Sequence, residues 1–176
     1  MDFQGIHDHL RAIAAPGLIG ADEPRPPVPG EKPGHNKDPG RAGDPYVRVD
    51  PTRIVEFVAL CRDDPRLAFE ILMDLTAVDP KADEPNLWLV VQLLSVQRRH
   101  RLSIKALIPK SKPRVASLTA VHRTAQWHER ECAEMYGITF EGHPDPRNIL
   151  LPDDWVGFPL RKDYEFPKEY HGISCE

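Results

Sequence analysis

Glycine is missing from the middle of this chain: all 11 glycines lie outside the stretch from Asp44 to Tyr136. Without bare backbone at a strand-to-helix turn, that stretch has no loop of the common kind that cradles a nucleotide phosphate. Cysteine is scarce too. The three thiols, Cys61, Cys132 and Cys175, cannot supply four thiolate ligands to an iron-sulfur cluster, and an odd number so widely spaced fits free thiols in a reducing compartment. Long hydrophobic runs are absent: Leu87 to Val91 is broken by Gln92, far short of the ~20 residues a membrane helix needs. The opening MDFQGIHDHL has no basic region followed by an apolar one, so no secretory signal is expected and a cytoplasmic location is. Acidic residues are absent from Pro85 to His128, where eight basic residues fall. That local basic segment is open to three readings: a solvated hairpin, a dock for an acidic protein surface, or an RNA-binding hairpin, the last without an interleaved aromatic platform. The net charge of −4 gives no general pull toward nucleic acid or an anionic membrane.

Proline is abundant instead, 19 in 176 residues, with 9 in the first 51 positions and 5 after Gly142. The ends therefore differ from the middle, and the length fits one domain with appendages. A short helix is possible over residues 5–14, but Ala21 to Pro45 holds seven Pro and four Gly, so residues 1–45 are expected to be a largely disordered arm. At Asp50-Pro51 a carboxylate N-cap and Pro at N1 predict a helix, with Ile54, Phe57, Val58 and Cys61 on one face. Phe69 to Val78 alternates, placing Phe69, Ile71, Met73, Leu75 and Ala77 on one side of a strand, with a helix as the competing reading because Leu72 and Val78 blur the alternation. Leu87–Val96 and Arg101–Ile108 read as a hairpin around Gln97–His100, and Thr124 to Tyr136 as a helix ended by Gly137. The expected fold is α+β: a two-layer core over 46–142 with a mixed or antiparallel sheet and flanking helices, then an extended, aromatic-studded arm over 143–176.

His128-Glu129-Arg130-Glu131-Cys132 is close to the HExxH zinc-protease helix, with Cys132 where the second His would stand and His143 as a third possible ligand. A small metal-dependent hydrolase is one reading of it. The other packs His128, Cys132 and Met135 into the core, pairs Arg130 with Glu134 at i+4, and gives Glu131 an arginine partner, Arg147 or Arg161. Further on, His143, Arg147, Asp153, Asp154, Arg161, Lys162 and Asp163 alternate in charge among prolines, with no nucleophile beside a base. That pattern points to recognition, not catalysis.

Taken together, ERECAEMYGITFEGHPDPRNILLPDDWVGFPLRKDY, from Glu129 to Tyr164, closely resembles the signature region of the C subunit of the proton-pumping NADH-quinone oxidoreductase, respiratory complex I. Asp74-Leu75-Thr76-Ala77-Val78-Asp79 and the hairpin extend the resemblance to about Tyr46–Tyr164. Ala133, Glu134 and Pro80 depart from the residues common in that family. The resemblance implies a component of the peripheral arm, on the cytoplasmic side of the inner membrane and reaching it only through the complex. It implies no cofactor in this chain, with FMN, iron-sulfur clusters and quinone belonging to partner subunits. It also implies docking on the D subunit, which helps form the quinone site, close to the B subunit and other arm subunits, and no nucleic-acid partner. Glu129, Arg130, Glu131, His143, Arg147, Asp153, Asp154, Trp155, Arg161, Lys162 and Asp163 carry over as structural and interface residues, with Trp155, Phe158 and Leu160 burying apolar area against the partner. None is expected to be catalytic. The equivalent component of a membrane-bound hydrogenase or other-donor dehydrogenase is the near alternative.

Overall fold

A computed structural model describes residues 1–22 and 45–175. The apolar alternation of the central segment sets the architecture. β4 (Asn86–Ser95) and β5 (His100–Pro109) form a hairpin in unbroken antiparallel register, from Asn86 opposite Pro109 to Ser95 opposite His100. Leu87, Leu89, Val91 and Leu93 of the first strand, and Leu102, Ile104, Ala106 and Ile108 of the second, are all buried on one face. The turn between them is held from outside, since the Glu70 carboxylate accepts the backbone N–H groups of Val96 and Gln97.

Against that face lies α2 (Ile54–Asp63), which follows a single 3-10 turn at Pro51–Arg53. Asp50 caps the turn by accepting Thr52 N–H at 2.9 Å, as the Asp-Pro pair predicts. Ile54, Phe57, Val58 and Cys61 are fully buried, each large side chain contributing about 1.5–3 kcal/mol by leaving water. β3 (Ile71–Val78) pairs with β4 at the sheet's edge. Its alternation differs from the expected one. A bulge between Leu72 and Asp74 places one extra residue on this strand, so Leu72, Leu75 and Ala77 face the core while Ile71 and Met73 are exposed.

The first residues correct the expected domain boundary. α1 (Phe3–Ala12) buries Ile6 and Leu10 in the same core, and His9 Nε2 lies 3.0 Å from Asp64 at the end of α2. β1 (Leu18–Asp22) then pairs antiparallel with β2 (Tyr46–Val49), which pairs parallel with β5. The sheet is thus mixed, five-stranded, in the order β1-β2-β5-β4-β3. Residues 1–22 belong to the domain and are not an arm; the rest of the expected arm, 23–44, lies outside the described residues.

The other helix, α3 (Ala125–Tyr136), packs along β3, and the Thr124 hydroxyl donates to Leu72 O instead of capping its own helix. Gly137 ends it in the left-handed region at φ 73° and donates its N–H to Ala133 O. β6 (Arg114–Ala116) and β7 (Thr139–Glu141) form a short parallel pair beside it. The chain then runs on without regular structure to a small hairpin, β8 (Glu169–Tyr170) and β9 (Ile173–Ser174). No helix among the described residues is long and apolar enough to cross a membrane.

Candidate docking site

α3 carries three charged side chains inside the protein: Glu129, Arg130 and Glu134 are all buried. Burying a charge is costly unless it is hydrogen-bonded, so their partners decide what they do. Glu129 accepts Leu118 N–H at 2.6 Å and the Ser117 hydroxyl at 2.6 Å. Burial pushes its carboxyl above the usual range, and those hydrogen bonds oppose the shift. Glu134 accepts the successive backbone N–H groups of Ile149, Leu150 and Leu151, at 3.1, 3.0 and 3.1 Å. Arg130 does the converse, donating to Arg147 O at 2.7 Å and Asn148 O at 3.2 Å. It does not pair with Glu134 one turn on. A segment with no helix or strand of its own is thus wound onto α3 by side chains that satisfy its backbone.

The same device recurs further along. Leu160 N–H donates to Met135 O, and Arg161 Nε donates to Tyr136 O at 2.7 Å, so two terminal carbonyls of α3 are capped from the tail. The Arg161 guanidinium also lies 4.9 Å from the Phe158 ring centroid. That ring sits so near Gly137 that a Cβ there would approach within 2.5 Å of it. Lys162 N–H donates to Asp79 at the end of β3. Asp154 accepts the Tyr170 hydroxyl and His171 Nε2, both at 2.7 Å, and the hydroxyl is the main reason its carboxyl lies below the usual range. Trp155 is half-buried against Tyr170, ring centroids 5.3 Å apart.

Other expected roles are redistributed. Arg147 forms a two-point pair with Asp145, at 2.7 and 2.8 Å, and this holds the Asp145 carboxyl at about 2. Since Arg147 and Arg161 are engaged elsewhere, neither serves Glu131, which is exposed. Asp153, Lys162 and Asp163 are exposed as well. His143 accepts Asp145 N–H on Nδ1, so the contact of its Nε2 with Gln126 O at 3.0 Å is a donated hydrogen bond. Both ring nitrogens are then occupied. With Glu129 tied to Ser117 and Leu118 and Cys132 a buried thiol, the four residues of the metal-hydrolase reading do not form a ligand set. No group of three or more His, Cys, Asp or Glu among the described residues is placed to hold a metal.

Among the exposed charges, the winding also leaves apolar side chains outside. Leu150, Val156, Phe158, Leu160, Phe166 and Ile173 are exposed, Val156 by 85%, and Trp127 stands exposed on α3, its ring 5.1 Å from the Arg130 guanidinium. A groove of about 310 Å³ runs between α3 and this segment, with Ala133, Ile138, Phe140, Pro146 and Phe158 as its apolar wall. Exposed apolar side chains gathered along one segment make this the candidate docking surface. Glu134 and Asp79 were the residues that sequence reasoning left out of the site. Their signal was indirect: an irregular tail whose N–H groups needed acceptors.

Comparison with known proteins gives this chain a family. Residues 47–170 match the family model described as "Respiratory-chain NADH dehydrogenase, 30 Kd subunit". A protein of Roseiflexus sp. (strain RS-1), named as the C subunit of NADH-quinone oxidoreductase, is 45% identical over 163 residues, 93% of this chain and 84% of that protein. One of the same name from Roseiflexus castenholzii is 46% identical over 121 residues, 69% of this chain and 70% of that protein. Another, from Chloroherpeton thalassium, is 42% identical over 132 residues, 74% of this chain but 54% of that protein's own length. Among solved structures, a trypsin-resistant fragment of Nqo5 superposes with a TM-score of 0.59 at 23% identity, over 82% of this chain and 99% of that one. The membrane-bound sulfane sulfur reductase, an archaeal respiratory membrane complex, contains a chain that matches with a TM-score of 0.61 at 22% identity, over 92% of this chain and 84% of that one. These two share the fold. The family match covers well over half of the sequence, and the chain belongs to the family of the 30 Kd subunit of the respiratory-chain NADH dehydrogenase, that of the NADH-quinone oxidoreductase C subunits.

Proposed function

We propose that this chain is a cofactor-free structural subunit of the peripheral arm of an NADH-quinone oxidoreductase, non-catalytic by itself. It docks through the tail wound on α3 onto the D subunit, which helps form the quinone site, with the B subunit and other arm subunits nearby. The flavin, the iron-sulfur clusters and the quinone belong to those partners. In this reading the chain sits on the cytoplasmic side of the inner membrane and meets the membrane only through the complex. The observation that carries it is the exposed apolar strip from Leu150 to Phe166, held in place by buried charges. A strip whose backbone is already ordered loses little conformational entropy on docking, so more of its apolar burial appears as affinity. Relatives named for NADH-quinone oxidoreductase favour NADH as the donor of the parent complex, whereas the fold alone, shared with the sulfane sulfur reductase, does not discriminate.

Tagging the carboxyl terminus, solubilising native membranes gently and identifying what co-purifies, with NADH-quinone reductase assayed on the same material, tests this. The reading expects flavin and iron-sulfur subunits to arrive with the activity. Hydrogenase-type subunits without NADH oxidation would keep the docking role and change the donor. The chain recovered alone would contradict both.

A further inference from the structure

Asp79 is the buried charge for which the docking reading has no use so far. Its side chain is fully shielded from solvent, at the end of β3 on the sheet's edge. Lys110, just past β5, places its ammonium 2.7 Å from Oδ1 and also donates to the carbonyl of Lys81, which closes the loop between β3 and β4. The other oxygen, Oδ2, accepts Lys162 N–H at 3.0 Å, from a residue 83 positions later in the chain. A buried ion pair is weak evidence for stability, because apolar replacements of the same volume are often as stable; the best attested use of such pairs is to fix register. The tail has need of such a device. It has no period of its own between His143 and Lys168, and apolar contact alone would tolerate a slip of one residue, which would turn Phe158 away from Gly137 and Arg161 away from the end of α3.

We propose that Asp79, charge-balanced by Lys110, is the register pin of the docking segment. Glu134 fixes one end of the strip through Ile149, Leu150 and Leu151, Asp79 fixes the other through Lys162, and the residues between them are presented in one conformation. A slip of one residue draws Lys162 N–H away from the buried Oδ2, at the cost of that hydrogen bond. Both are positioning residues, and this assignment rests on the docking reading for its purpose but not for its geometry.

The test is hydrogen-deuterium exchange on the full chain, comparing wild type with the double variant D79L/K110M and with K162P. The double variant removes both charges and the acceptor while keeping apolar volume; K162P removes the same hydrogen bond from the exposed side, outside the sheet. The pin requires the amides of Leu160, Arg161 and Tyr164, all hydrogen-bonded in the native tail, to exchange at least tenfold faster in both variants. The amides of Leu89 to Leu93 and Leu102 to Ala106 should keep wild-type protection, a separation that a purely stabilising role would not produce. Wild-type exchange at the tail amides of K162P would overturn the assignment even where D79L/K110M failed to fold. Tail amides of a folded D79L/K110M that kept their protection would overturn it equally. Co-purification of each variant with the complex reads the docking reading separately: a loosened tail with undiminished recovery supports the pin and contradicts docking through this strip.

Discussion

Glu134 shows most clearly how a single side chain here organises backbone. Its carboxylate is the acceptor for three consecutive N–H groups, and Glu134→Ala leaves all three without one. Hydrogen bonds to charged groups are worth about 1.5–3 kcal/mol each when the surroundings cannot substitute water. Water can reach part of this loop, so the expected loss is about 2–3 kcal/mol in urea unfolding, with the loss of protection concentrated at 149–151. Gly137→Ala acts by another route. A left-handed residue with a Cβ costs about 1–2 kcal/mol, and here the Cβ also displaces the Phe158 ring, so the variant should unfold at lower urea by at least that amount. The Glu129 carboxyl is shifted in the opposite direction to those of Asp145 and Asp154, upward by burial. Its folded pKa lies above the unfolded value of 4.5, so the folded state holds this proton more tightly, and its contribution to stability falls as pH rises through that window. The stability of Glu129→Gln relative to wild type should therefore rise from pH 4.5 to pH 7, measured by urea titrations at each pH; a flat difference would contradict the assignment.

At the scale of elements, the sequence was most readable where a period exists. The helix at Ile54–Asp63, the hairpin at Leu87–Ile108 and the helix ending at Gly137 all follow from apolar spacing and caps, and the expected α+β fold is the one found, its sheet mixed where mixed or antiparallel was expected. The bulge at Met73 was not legible because alternation alone does not reveal an inserted residue. Strands β1 and β2 are short and lie on either side of the proline- and glycine-rich stretch, so neither gave a period long enough to detect. Of the charges expected to be structural and interface residues, Glu129, Arg130 and Arg161 are hydrogen-bonded to this chain's own backbone, while Asp153, Lys162 and Asp163 stay exposed. Acid should expose that division. Asp145 and Asp154 both have folded pKa values below the ordinary 3.8, Asp145 at about 2, so their contribution is complete above pH 4 and is lost as pH falls toward 2. Amide shifts of residues 145–171 in an NMR titration should move across that range while those of Leu87 to Leu93 stay fixed.

The whole molecule is a two-layer domain whose helix α3 serves as the spool for an irregular tail. Its core accounts for folding, and its tail carries the exposed apolar side chains of Leu150, Val156, Phe158, Leu160 and Phe166. Membership of the 30 Kd subunit family gives that strip a setting, a multi-subunit NADH-quinone oxidoreductase. In the proposed docking, Val156 and its neighbours face the quinone-site subunit of the assembled complex. The most direct measurement places a photo-reactive residue at Val156, and in a control at Glu56 on the exposed face of α2, and cross-links intact membranes. Adducts from position 156 to that partner, with none from position 56, are the predicted result; adducts from position 56 alone would contradict the account.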